Sequence, residues 1–144
     1  MRVLLQRVQS ASVVVDGTRI AQIGHGLLAL VGVVPDDTGE AVDWLVKKTV
    51  GLRIFPQGDK NMNRSVVDVS GEVLLVSQFT LAADTAKGMR PGFSNAADPG
   101  FAESLYDEFA AKLSALVPTQ TGRFGADMQV TLTNDGPVTI LLER

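Results

Sequence analysis

The 144-residue chain has no cysteine and only one histidine, His25. Without cysteine neither a disulfide nor a thiolate nucleophile is available, and any metal would have to be held by oxygen ligands with His25. A Ser-His-Asp triad needs a histidine base, and His25 lies between two glycines in a segment that reads as a turn. No G-x-S-x-G elbow occurs, and no phosphate-cradling glycine loop of the Walker or dinucleotide type follows a strand-like segment. Long hydrophobic runs are also missing: stretches such as Leu27 to Pro35 are too short to span a bilayer, and the opening MRVLLQRVQSAS alternates instead of forming a signal-like apolar block. A net charge of −3 lacks the excess of Lys and Arg with which proteins coat long stretches of nucleic acid. Local basic groups at Arg2 and Arg7, Lys47 and Lys48, and Lys87 and Arg90 read as solvated surface, and only a small RNA footprint remains compatible. The expectation is a cytoplasmic protein with no membrane, DNA, metal or cofactor partner.

With 45% apolar and 20% charged residues, the composition is that of a globular protein, and residues 1–144 are long enough for one domain around one core. Val3, Leu5 and Arg7, then Val13 and Val15, recur at strand period before Asp16-Gly17 supplies a hairpin turn into a second strand, Thr18 to Ile23. Beyond Gly24-His25-Gly26, LLALVGVV is a continuous apolar run, the mark of a strand buried on both faces. Asp37 and Glu40 have capping-box spacing ahead of a helix carrying Val42, Leu45, Val46 and Thr49 as far as Gly51. Leu52 to Phe55 predicts a short strand, Gln57 to Ser65 a loop, and Val66 to Val69 and Val73 to Thr80 two further strands around Ser70-Gly71. Ala82 to Pro99 predicts a long loop. Asp98 as N-cap and Pro99 at the first helical position then open a second helix with Phe101, Leu105, Phe109, Leu113 and Leu116 on one stripe, ended by Pro118. Met128, Val130 and Leu132 alternate up to Asn134-Asp135-Gly136-Pro137, and VTILL follows, which predicts two strands joined by a turn. The fold class expected is therefore α+β (mixed α/β): one domain with a curved, mainly antiparallel sheet and two main helices.

Few residues offer chemistry. Asp36 and Asp37 precede a helix and read as caps, not as paired acid-base carboxylates. Ser77, Gln78 and Thr80 are polar positions at the end of an apolar strand, where satisfying sheet-edge hydrogen bonds explains them as well as a site does. Gly136-Pro137 is explained equally by a turn that uses glycine's tolerance of positive φ. A hydrolase built from these residues would depend on backbone donors, hydroxyls and its substrate.

VSQFTL at Val76 to Leu81 and NDGPVT at Asn134 to Thr139 occur together. They stand in order with MRVLLQRVQSASVVVDG at the start, LRIF at Leu52 to Phe55, KGMRP at Lys87 to Pro91 and TGRFGADM at Thr121 to Met128. Over nearly its whole length the chain resembles the D-aminoacyl-tRNA deacylases, the D-tyrosyl-tRNA(Tyr) deacylase family of tRNA-editing hydrolases. The resemblance implies a homodimer acting on the aminoacyl-tRNA acceptor end. In it the Gly136-Pro137 turn of one subunit, with a cis peptide, enters the site of the other and rejects L-amino acids. It implies that Ser77, Gln78, Phe79 and Thr80 form the catalytic motif, that Arg7 anchors the Gly-Pro turn, and that Met128 lines the pocket. Hydrolysis would be assisted by the 2'-hydroxyl of the terminal adenosine, and glycine mischarged on alanine tRNA would also be a substrate. The family usually has serine where this chain has Gly92, which puts one loop hydrogen bond in question. Two rival readings are a small-metabolite-binding oligomer without catalysis and an esterase using Thr80 as its nucleophile.

Overall fold

One long strand, β1 (Arg2–Val15), organises the sheet in the computed structural model, which describes residues 1–144. Asp16 and Gly17 take positive φ of 50° and 75°, the pair a two-residue hairpin turn requires, and β2 (Thr18–Ile23) returns antiparallel. β3 (Gly26–Gly32) pairs with the first half of β1, on the edge that β2 occupies along the second half. Helix α1 (Gly39–Gly51) and the small hairpin β4 (Phe55–Gln57) and β5 (Lys60–Arg64) lead to β6 (Glu72–Ser77), parallel to β3. A single 3-10 turn (Phe79–Ala82) and a long loop precede α2 (Pro99–Ser114), from which β7 (Thr119–Thr121) returns parallel to β6. β8 (Gln129–Glu143) runs antiparallel to β1 along the other edge. The sheet order is β2-β1-β3-β6-β7, with β8 on β1, so the expected fold class holds: two helices and a mostly antiparallel sheet. No helix is long and apolar enough to cross a membrane.

The sheet has two cores instead of the single core expected. Both helices pack on one face, where 23 buried residues include Val42 and Leu45 of α1 and Leu105, Phe109 and Leu113 of α2. On the opposite face a cluster of 9, including Val8, Val13, Ile23, Leu28 and Leu74, joins residues of β1, β2, β3 and β6, which requires the sheet to curve over itself. β3 and β6 serve both: Leu27, Ala29, Val73 and Leu75 point to the helices, Leu28, Leu74 and Val76 to the second cluster. Their uninterrupted apolar runs follow from burial on both faces.

The alternation along β1 does not describe one face. Val3 and Leu5 belong to the helix-side core, whereas Val8, Ala11, Val13 and Val15 belong to the other. The change occurs at Gln9, which is extra on β1 between the pairs Val8–Asn134 and Ser10–Thr133, a bulge that flips every later side chain. β8 changes face at the same level. Between Gln6–Thr139 and Val8–Asn134, Arg7 alone on β1 faces four residues of β8, Asp135 to Val138. The NDGP segment is thus an interruption within one continuous strand, not a turn between two.

Local bonding explains the other departures. Asp37 does not cap α1, whose N-cap Thr38 makes no side-chain bond. Asp37 is buried, accepts from Val34 N at 2.7 Å, and pairs with the amino group of Met1. Val66 to Val69 forms turns, because Asp68 accepts from Ser65 N at 2.8 Å and Ser65 Oγ at 2.9 Å and so draws the backbone out of an extended path. The same bonds hold the exposed Asp68 carboxyl below its usual range. Leu52 to Ile54 is irregular, and the segment expected to be loop holds the β4–β5 hairpin, turning at Gly58 with φ 54°. β6 ends at Ser77 instead of Thr80. Asp98 does cap α2, accepting from Gly100 N at 3.0 Å, a bond worth about 1 kcal/mol. The buried stripe of α2 uses Ala102 and Tyr106, while Phe101 and Leu116 at its two ends are exposed.

Thr49 is fully buried on α1, and its hydroxyl has no hydrogen-bond partner. Valine has the same shape without the polar group. We expect Thr49→Val to raise stability by about 1 kcal/mol, seen as a higher urea midpoint at unchanged slope. A lower midpoint would show that the hydroxyl is satisfied.

Candidate active site

The parallel strands β3 and β6 finish side by side, and ligands of such sheets bind beyond the carboxyl ends of the strands. A mostly apolar cavity of about 460 Å³ opens there. Val31 and Val33 line it at the end of β3 and just beyond, Val76, Ser77, Gln78 and Phe79 at the end of β6 and just beyond, Ala102 and Tyr106 from α2, and Phe124 to Met128 from the segment entering β8. The Tyr106 hydroxyl donates to Leu75 O at 2.9 Å, and burial, reinforced by Asp107, pushes its pKa well above the ordinary phenol value. Asp127 is the one carboxylate in the lining.

Ser77 and Gln78 are half-buried, Phe79 and Thr80 exposed. Gln78 N donates to Val31 O at 2.7 Å, and the chain then leaves the sheet for the 3-10 turn. The N–H groups of Phe79 and Thr80 open that turn and so find no carbonyl within it. The Gln78 side-chain amide donates to the Thr80 hydroxyl, which stands outside the cavity lining. Phe79 packs against Phe93 at 5.1 Å between ring centroids. The loop carrying Phe93 is tied by Asp84 and Gly92, each donating to the other's carbonyl at 2.8 Å. A Cβ on Gly92 would meet nothing nearer than 3.8 Å, so a serine fits, and the pairing that closes the loop needs no side chain there. Met128 is half-buried in the cavity wall, its sulfur resting on Gly122, where a Cβ would come within 2.7 Å of it.

The remaining three expected residues lie elsewhere on the chain. Arg7 is only 8% exposed. Its Nη1 donates to Ile54 O, its guanidinium stands 6.0 Å from the Phe55 ring centre, and its Nε lies 2.7 Å from Asp135 Oδ2. That last contact is an ion pair by distance without the alignment of a hydrogen bond. Beside it the Gly136–Pro137 peptide is cis, and both residues are exposed and outside the cavity lining. Gly136 does not have positive φ, so left-handed backbone is not the reason for a glycine here. His25 is exposed against Phe55, at 5.1 Å between rings, away from the cavity lining. No three of His, Asp and Glu converge as metal ligands.

Of the residues expected at a site, the structure brings Ser77, Gln78, Phe79 and Met128 together at the cavity and leaves Thr80, Arg7, Gly136 and Pro137 outside its lining, while Tyr106, Phe124 and Asp127 line it without having been expected there. Only TGRFGADM pointed to the last two. Tyr106 was hidden by the stripe assigned to α2.

The structure is a mixed α+β domain with an apolar cleft at its parallel strand ends, and no histidine lines that cleft. The family model for D-Tyr-tRNA(Tyr) deacylase matches residues 4–143, and the chain belongs to that family. It is a hydrolase acting on D-aminoacyl-tRNA. A solved structure described as c-Myc DNA Unwinding Element Binding Protein is similar at 40% identity and TM-score 0.94, covering 100% of this chain and 99% of that one. Another, described as a probable eukaryotic D-amino acid tRNA deacylase, shares the fold at 18% identity and TM-score 0.83, over 98% of this chain and 97% of that one.

Tyr106 is the only tyrosine, so its ionisation can be followed by ultraviolet absorbance. The unfolded phenol titrates near 10 and the folded one higher. Above pH ~10 the unfolded chain therefore gives up a proton that the folded chain keeps, and stability should fall with rising pH by up to about 1.4 kcal/mol per unit. We expect phenolate absorbance to appear only with unfolding. A titration near 10 in protein that is still folded would contradict the buried Tyr106–Leu75 bond.

Proposed function

We propose that this deacylase works as a homodimer in which Gly136–Pro137 of one subunit forms a chiral gate over the cavity of the other. The observation that carries the reading is the separation of the two motifs. Ser77, Gln78 and Phe79 line the cavity, while Gly136–Pro137 projects, exposed, from an interruption in β8 outside it. A second copy offers the way for both to meet one substrate. β8 is paired with β1 on one edge only, and its other edge is free to face a partner. Arg7 holds the gate through Asp135.

In the proposed complex the cavity takes the terminal aminoacyl-adenosine, with Met128 in its wall and backbone groups near Phe79 and Thr80 at the ester. The gate's carbonyl oxygens accept hydrogen bonds from the amino group of a D-residue, and the Cα substituent of an L-residue collides with them. Such exclusion discriminates where an attractive pocket would not. Glycine carries no substituent and passes, so glycine mischarged on alanine tRNA is a substrate.

The hydroxyls of Thr80 and Tyr106 are not hydrogen-bonded to any base. The partner of the Thr80 hydroxyl is the Gln78 amide, which is not a base, and Tyr106 is committed to Leu75 O. The 2'-hydroxyl of the terminal adenosine already adjoins the ester, and that proximity replaces a bimolecular encounter. It assists while water adds to the carbonyl carbon, the acyl–oxygen bond breaks, and the ribose oxygen leaves as a hydroxyl. The N–H of Phe79 stabilises the developing oxyanion.

Single-turnover deacylation of D-aminoacyl-tRNA tests the chemistry. Thr80→Ala is expected to keep its rate within about tenfold, and Asp127→Asn likewise, whereas tRNA ending in 2'-deoxyadenosine should be nearly inert. A dead Thr80→Ala enzyme with normal cleavage of the deoxy substrate would make Thr80 the nucleophile.

The gate is tested by Gly136→Ala. Within its own chain a Cβ there meets only Asn134 Oδ1 at 3.4 Å, so folding should survive and any lost D/L selectivity reflects what approaches from outside. Unchanged rates on both substrates, or a strictly monomeric protein in sedimentation at micromolar concentration, would remove the gate.

A further inference from the structure

The Arg7 ion pair holds Asp135, one residue before the gate. It does not define the far end of the interruption, where four residues of β8 stand against one of β1 and the strand-to-strand ladder is lost. A different side chain spans the gap. Asn134 Nδ2 donates to Val138 O at 3.1 Å, joining the two ends of the Asp135–Pro137 segment, and to Arg7 O at 2.9 Å, tying that closure to β1. The oxygen of the same amide lies 3.4 Å from the point a Cβ on Gly136 would occupy. One planar group therefore fixes both ends of the segment and backs its middle.

We propose that Asn134 is a positioning residue for chiral selection, setting where the Gly136–Pro137 carbonyls stand. The proposal rests on the gate reading above. Steric exclusion works only if the excluding wall cannot retreat, and a displacement of about 1 Å is enough to change a rate a hundredfold. A primary amide suits the task because both of its N–H groups are used at once, in a fixed plane, on two carbonyl acceptors. Aspartate has the same shape but no donor, and its carboxylate would face two carbonyl oxygens. Alanine removes the span without adding charge.

The test is the ratio of D- to L-aminoacyl-tRNA deacylation, a quantity that lost stability alone does not move. Four proteins are compared with wild type: Asn134→Asp, Asn134→Ala, Gly136→Ala and Gln6→Ala. The last deletes a neighbouring cross-strand bond, Gln6 Nε2 to Thr139 Oγ1 at 3.2 Å, and leaves the interruption intact. We expect both Asn134 variants to lower the D/L ratio at least tenfold, chiefly through faster cleavage of the L substrate, while Gln6→Ala keeps the wild-type ratio. Asn134→Ala carries the test if the aspartate variant does not fold. If Gly136→Ala lowers the ratio and neither Asn134 variant does, the gate stands and the role of Asn134 is overturned. A fall of equal size in Gln6→Ala would reduce Asn134 to general strand pairing. No change in Gly136→Ala or in the Asn134 variants removes the gate and this inference with it.

Discussion

A guanidinium taken out of water must be met by acceptors, and around Arg7 the molecule arranges them from three directions. Ile54 supplies a carbonyl, Phe55 a ring face, and Asp135 a carboxylate. These groups come from the segment leaving α1, from the β4–β5 hairpin and from β8, so one buried charge ties together elements distant in the chain. Losing one partner of such a group leaves a charge uncompensated, at a cost of several kcal/mol. The position of Arg7 is equally constrained by the sheet, for it lies where β1 and β8 both change from one core to the other. The exposed Gly136–Pro137 pair lies at that crossing: β1 changes face with one extra residue, Gln9, whereas β8 sets four residues against Arg7.

The cavity is built with similar economy of means. With neither cysteine nor a histidine at the cavity, the groups available are amides, hydroxyls and one carboxylate. Ending β6 at Ser77 and tightening at once into a 3-10 turn leaves amide N–H groups at the mouth without intraturn partners. The aromatic pair Phe79–Phe93 joins this mouth to the loop closed by Asp84 and Gly92.

The elements legible in the sequence were those whose determinants are local. Asp16-Gly17 specifies its hairpin, Asp98-Pro99 starts α2, and the apolar runs of β3 and β6 report burial on both faces. What could not be read depends on partners far along the chain. Asp37 has the spacing of a cap, yet its carboxylate is taken by Val34 N and the amino group of Met1. The alternation of β1 is real, but the bulge at Gln9 assigns its two halves to different cores, and a bulge leaves no mark in a pattern of apolar residues. β7 is three polar residues, visible only as a neighbour of β6. At the cavity, Ser77, Gln78 and Phe79 stand in a motif that family likeness singled out, whereas Tyr106 owes its place to the helix packing that turns it toward Leu75.

The sharing of β1, β3 and β6 between the two cores bears on how the cavity behaves in time. A protein with two independent clusters has a seam along which it can breathe, and local opening usually follows such seams. Here the strands that floor the cavity are gripped on both sides, so its depth cannot fluctuate without loosening both clusters together. At the rim, by contrast, Phe79, Phe93 and the Asp84–Gly92 loop are exposed. The floor of the cavity is thus shared by both clusters, whereas the aromatic side chains at its mouth, Phe79 and Phe93, belong to neither.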